Sequence, residues 1–196
     1  MPTPLPTAQP TTLPHVKVGW PSVNGYEPAP RPTDSPTDAS TQRPDAEVFS
    51  RTWASATPLC TIQVDVTRSA SLLVAGGDDR HLSMAWSEGL AQKYKRFQEK
   101  KKEPQQVANG DKPYTGVTTD FTATVLTSEV VGRSFVRAFS ATGTLVSITE
   151  TCTGGTLDEN AWGQVTGGVT LNPADDAHWP GAAATAKPSA TPIKSS

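Results

Sequence analysis

Four groups of residues in this 196-residue chain are of types that could do chemistry. The first is Leu72–Asp79 (LLVAGGDD), an apolar run, a Gly-Gly break and two adjacent carboxylates. Paired acids can hold a divalent metal and activate a hydroxyl, or they can cap a following helix. The second is Lys93–Lys102 (KYKRFQEKKK), where cations interleave with Tyr94 and Phe97. Such a run can touch phosphates while an aromatic stacks on a base, or it can complement the macrodipole at a helix C-terminus. The third is Cys60 with Cys152, 92 residues apart. They are candidates for a disulfide, which would contribute about 4–5 kcal/mol by restricting the unfolded chain. The alternative is two buried thiols behaving as small apolar residues. The fourth is His15, His81 and His178, no two of which have ligand spacing, so neither a metal site nor a cofactor is expected. No Gly-x-Ser-x-Gly elbow is present and neither cysteine carries a catalytic signature. The glycine pairs at 154–155 and 167–168 lack a following Gly-Lys-Ser/Thr and read as turns.

The Leu72–Asp79 string resembles the metal-holding hairpin of palm-type nucleotidyl transferases. The resemblance implies divalent-metal chemistry on nucleotides at Asp78 and Asp79, with Asp65 as the acid on a neighbouring strand. The family also needs a phosphate-binding lysine motif and a larger body, and this chain has neither. The reading adopted makes the aspartates the cap of the helix that follows. No catalytic residue is assigned, and the chain reads as non-enzymatic.

These groups need elements to position them. Pro44–Ala56 predicts a helix, with Asp45 as N-cap and Phe49 and Trp53 four apart on one face. In Leu59–Ala75, Ile62, Val64 and Val66 alternate with polar residues as in a half-buried strand, and Ser71–Ala75 reads as a second short strand. His81–Lys102 reads as the main helix, with Leu82, Trp86, Leu90, Tyr94 and Phe97 as its apolar stripe and Pro104 as its stop. Gln105–Pro113 reads as a loop. Tyr114–Thr153 contains three alternating runs with glycine-bearing turns, an antiparallel meander. In the second of these runs Phe135, Arg137 and Phe139 share a side. Ala161–Leu171 predicts one or two last short strands, and Trp162 with Trp179 closes an edge of the core. The expected fold is α+β, one or two helices packed on a curved antiparallel sheet. Its element order matches cystatin-like and nuclear-transport-factor-2-like domains by analogy alone. The alternative is a β-sandwich with one crossing helix.

Prolines divide the chain. Eleven of the 18 lie in the first 44 residues, where they exclude a continuous helix or an interior strand. The expected organisation is an extended Pro/Thr-rich arm over 1–44, a single domain over 45–180 and a flexible tail over 181–196. Within the arm, Val16, Val18, Trp20, Val23 and Tyr26 are anchors that enter pockets on the chain's own body or on a neighbour. They are the candidate partner-binding residues.

A net charge of −2 offers no global field for nucleic acid or anionic lipid. No run reaches the roughly 18 apolar residues of a membrane helix, and the N-terminus shows no signal-peptide pattern. The expected partners are other protein subunits, copies of itself among them, without nucleic acid or membrane insertion. Two functional readings fit. One is a structural subunit of a virion, phage or envelope complex, docking through its arm. The other is an exported bacterial accessory or binding domain on a Pro/Thr spacer. Both favour a virion, extracellular or envelope setting over the cytoplasm.

Overall fold

Strict alternation makes Leu59–Arg68 a strand with one face in the core. Cys60, Ile62, Val64 and Val66 are buried while Thr61, Gln63, Asp65 and Thr67 stay partly exposed. The computed structural model describes residues 13–30, 46–74, 76–89, 92–110, 112–174 and 176–180. Its strands are β1 (Lys17–Gly19), β2 (Glu27–Ala29), β3 (Glu47–Ala56), β4 (Leu59–Arg68), β5 (Lys95–Val107), β6 (Tyr114–Val125), β7 (Ser128–Phe139), β8 (Thr144–Thr153) and β9 (Thr170–Asn172). Its helices are α1 (Asp79–Gly89) and α2 (Glu159–Gly168), with a 3-10 turn at Ala70–Leu72.

Seven strands form one antiparallel sheet in the order β2-β3-β4-β8-β7-β6-β5, and β1 pairs with β9 in a separate ribbon. The expected meander of β6, β7 and β8 is present, in unbroken register from Val117↔Val136 to Val125↔Ser128 and from Val130↔Thr153 to Phe139↔Thr144. The two helices pack on this sheet, giving a mixed α+β, mostly sheet and sandwich-like architecture. The main core lies on one face. There Ile62, Val64, Phe135, Val146 and Ile148 meet Trp162 and Val165 of α2 and Leu171 of β9. The opposite face carries α1 and two smaller clusters, one around Val136, Ala138 and Leu145, the other around Phe121, Ala123 and Val130.

Several expected elements differ, each for a physical reason. Glu47–Ala56 is β3, not a helix. Phe49 and Trp53, four apart, share a face in a strand as well as in a helix, and ten paired residues with β4 decide for the strand. Asp45 lies outside the described residues. Ser71–Val74 of the expected strand Ser71–Ala75 gives no strand, because Ser69 caps the 3-10 turn by accepting from the Ser71 N–H; Ala75 lies outside the described residues. The long helix ends at Gly89, and the lysine-rich run becomes β5, paired with β6. Its presumed stripe is divided: Trp86 is 46% exposed, while Tyr94 and Phe97 stack on Phe121 with ring centroids 5.2 and 5.0 Å away. The buried line of α1 is Asp79, Ser83 and Ser87. Pro104, expected to stop a helix, sits inside this edge strand, and Gln105–Val107 completes it. Finally, 159–168 is helical. Asp158 accepts from the Asn160 and Ala161 N–H groups, and Ala161, Trp162, Val165 and Thr166 form one buried side. Gly167 and Gly168 end that helix and form no separate turn; Gly168 admits the arm, since a Cβ there would lie 2.5 Å from Pro21 Cβ.

Candidate functional site

The five anchor residues fold back onto the chain's own sheet. Val16, Val23 and Tyr26 are buried in the main core, and Val18 and Trp20 pack against it. β1 fixes this placement by pairing with β9, and β2 by pairing with β3 over Glu27↔Ala54 to Ala29↔Thr52. The Trp20 ring meets Trp53 edge-on with centroids 6.4 Å apart. Arg68, buried at the end of β4, ties Pro14 O of the arm to Glu47 of β3. Between its own body and a neighbour's, the described arm occupies its own.

Tyr26 leads to a buried carboxyl, Glu150. Its hydroxyl lies 3.4 Å from Asp158 Oδ2, and the Asp158 N–H donates to Glu150 Oε1 at 2.9 Å. Glu150 stands on β8 in register with Ile62 of β4 and Arg133 of β7, at 0% exposure. Its Oε2 has no hydrogen-bond partner among the described residues. Burial pushes the Glu150 carboxyl up to about 7, helped by Asp158 and Glu159, while the Asp158 N–H and Arg133 pull the other way. Arg133 itself bridges Asp120 and Glu159 and lies over the Trp162 ring. Burial, with the nearby Asp158 and Glu150 carboxylates, raises the Tyr26 phenol above its ordinary range.

Beside Glu150, Cys60 and Cys152 are joined in a disulfide across the register pair that links β4 to β8. Their sulfurs lie close enough to the Glu150 carboxyl to form a ligand cluster, but they are bonded to each other and so are not thiolates. Nothing in the sequence signalled Glu150. A lone glutamate two residues before a cysteine is unremarked until pairing turns it inward.

The Gly76–Asp79 acids have structural roles. Asp78 Oδ1 accepts from the His81 N–H at 2.9 Å, opening α1 as a cap does. Asp79 points inward: Oδ2 accepts from Arg137 at 2.8 Å, and Oδ1 accepts from the Ser140 N–H and hydroxyl at 2.9 and 2.6 Å. Arg137, fully buried, also donates to the Thr115 carbonyl and pairs with Asp176, and its guanidinium lies over the rings of Phe139 and Trp179, 4.6 and 4.7 Å from their centroids. This lock joins α1, β6, β7 and the Asp176–Trp179 segment. Asp65, the acid placed beside them by resemblance, instead accepts from Ser50 and Gln63 on the sheet face.

Outside these clusters, an open groove of about 480 Å³ lies where β5, β6 and β7 meet the Gly154-Gly155 turn. Arg96, Gln98, Thr122, Thr124 and Glu129 supply its polar lining. Arg96 holds φ at +51, in the left-handed region, where β5 loses register with β6 between Lys95 and Gln98. Tyr94 and Phe97, the aromatics that could have stacked on bases, are packed on Phe121. Burial pushes the Tyr94 phenol up to about 12, with Asp65 adding to it. Among the described residues, no helix is long and apolar enough to cross a membrane.

No protein-family model and no curated protein sequence matches the chain. Among solved structures it is similar to LpqN, involved in cell envelope biogenesis of Mycobacterium tuberculosis. That match has 8% identity, covers 81% of this chain and 85% of that one, and has a TM-score of 0.44. It is also similar to PA94, a protein of unknown function from Pseudomonas aeruginosa, at 14% identity over 66% and 83% of the two chains, with a TM-score of 0.34. Likenesses this distant carry no functional conclusion.

Proposed function

We propose that the chain is a non-catalytic protein-binding domain of an oxidising compartment, extracellular or in a cell envelope, with its Pro/Thr-rich sequence serving as a spacer. The Cys60–Cys152 bond carries this reading. It links the adjacent inner strands β4 and β8, and stable disulfides belong to oxidising compartments. The non-catalytic part draws support from the acids: Asp79 is fixed on Arg137 and Ser140, and Asp78 caps α1. Metal-dependent nucleotide chemistry at that turn has correspondingly less support.

The reading as a virion, phage or envelope-complex subunit that staples its neighbours through the arm is weaker. Its five anchor side chains already lie on the chain's own sheet. The test of the main reading is the thiol count of protein purified from its native source under alkylation without added oxidant. Mass spectrometry should find no alkylated cysteine. Two alkylated cysteines would sink the compartment assignment.

A further inference from the structure

The lysine-rich run lies along an open edge of the sheet. β5 ends the strand order, and among the described residues only β6 pairs with it. At 13 residues it is the longest strand, about 44 Å at 3.4 Å per residue. Most of its side chains are exposed. It carries five bases, Lys95, Arg96, Lys100, Lys101 and Lys102, against Glu99 and Glu103, in a chain whose net charge is −2. Lys101 pairs with Glu103 and Lys102 with Glu99. Among the described residues, no carboxylate pairs with Lys95, Arg96 or Lys100. The strand therefore has two halves. Lys101–Val107 runs in unbroken register with β6 and leaves its outer backbone groups unpaired among the described residues, except at Pro104, which has no N–H to donate, while Lys95, Arg96 and Lys100 carry positive charge that no described carboxylate pairs with.

We infer that this edge docks an acidic, extended polypeptide segment that adds a strand alongside β5. Backbone hydrogen bonds to Lys101–Val107, apart from the donor that Pro104 lacks, would give affinity, and carboxylates beside Lys95, Arg96 and Lys100 would give selectivity. For an antiparallel addition, the acidic residues fall toward the C-terminal end of the partner segment. Lysines on an edge also deter pairing with a second copy of the same strand. The charges that repel a basic copy attract an acidic strand, so the two effects favour one partner over the other. A nucleic acid fits less well, because Tyr94 and Phe97 are stacked on Phe121 and an open backbone edge gives a polynucleotide nothing to pair with.

This inference rests on the protein-binding reading and names the partner's chemistry. The two fail separately: reduced thiols in the native protein would overturn the compartment and leave the edge unaffected. The probe is an amidated 12-residue peptide with alternating Thr and Val in its N-terminal half and four Glu in its C-terminal half. It is titrated into the full oxidised chain with amide chemical shifts as the readout. The expected result is saturable shifts confined to Lys95–Val107 and their β6 partners, weakened at least tenfold by 0.5 M NaCl. A K95E/R96E/K100E variant, its fold checked by an unchanged amide spectrum outside β5, should also bind at least tenfold more weakly. A peptide with Lys in place of Glu should give no shifts. Equal binding of the Glu and Lys peptides, shifts elsewhere, or binding of a dT12 oligonucleotide as tight as the acidic peptide would each overturn the proposal. No peptide binding, together with self-association of the triple variant, would mean that the lysines only guard the edge.

Discussion

Glu150 makes the stability of this fold depend on pH in a window where few other groups titrate. Below about pH 4.5, the ordinary value for this carboxyl, it is protonated in both the folded and the unfolded chain. Between there and about 7 the folded chain keeps a proton that the unfolded chain has released. Unfolding then releases a proton, so stability falls as pH rises through the window and levels off above it. At 1.36 kcal/mol per unit, the raised pKa corresponds to a loss of about 3 kcal/mol. Glu150→Gln removes the ionisation and keeps the acceptor for the Asp158 N–H. The amide nitrogen takes the place of Oε2, which has no partner among the described residues, so the variant should match the protonated wild type at low pH.

Urea unfolding of both oxidised proteins, followed by tryptophan fluorescence at pH 4.5, 6, 7.5 and 8.5, gives the difference directly. His15, His81 and His178 are common to both proteins and cancel in that difference. The variant should equal the wild type at pH 4.5 and exceed it by about 2–3 kcal/mol at pH 7.5 and above. Parallel stability curves would mean that Glu150 is ionised at neutral pH and that its burial is relieved in a way the fold does not show.

Further outcomes follow from the packing. A chain starting at Arg43 lacks Val16, Val23 and Tyr26, each worth roughly 1.5–3 kcal/mol of burial. It should lose more than about 4 kcal/mol and bind a hydrophobic dye, as thermal melts and dye fluorescence would show; a fully stable truncated monomer would contradict the cis packing. Gly116→Ala puts a Cβ 2.3 Å from the Phe135 ring and 2.7 Å from the Val136 carbonyl, and should cost about 2–4 kcal/mol in urea unfolding. Gly163→Ala in α2 meets nothing within 4 Å and should add about 0.5–1 kcal/mol in the same assay. Asp79→Asn takes the negative charge away from the buried Arg137, which it meets at 2.8 Å. It should cost about 2–4 kcal/mol by chemical denaturation, whereas Asp78→Asn, a change between two good caps, should cost less than about 0.5 kcal/mol.

The strands that alternate cleanly were legible because period two has no rival over ten residues. Ile62, Val64 and Val66, and Phe135, Arg137 and Phe139, each share a face as their spacing requires. Spacing of four was ambiguous. Phe49 and Trp53, or Tyr94 and a residue four away, can share a face in either a helix or a strand, and the partner strand decides. The lysine-rich run has strong helix formers, yet its pairing with β6 overrides that propensity. α2 was hidden by Gly163, Gly167 and Gly168, although Asp158 stood as a cap before Ala161, Trp162 and Val165. α1 was found with the wrong buried side, because its contact with the sheet is made by polar atoms. Ser83 Oγ accepts from the Ala138 N–H, and Ser87 bonds Thr119. A hydroxyl line facing a sheet leaves no apolar periodicity to read.

That polar contact and the arm bear on where a partner can bind. One sheet face is closed by α2, the β1–β9 ribbon and the arm residues Val16, Val23 and Tyr26. The other is held to α1 through Ser83 and Ser87, with Asp79 tied to Arg137 and Ser140 at the end of β7, and these hydrogen bonds demand fixed geometry in a way that apolar packing does not. Sliding either layer to admit a ligand would strand buried polar groups or empty the core, and both changes cost several kcal/mol. A strand added at the edge demands neither. Among the described residues β5 pairs only with β6, most of its side chains are exposed, and no carboxylate pairs with Lys95, Arg96 or Lys100. A partner docking there changes the sheet's width without disturbing its two covered faces.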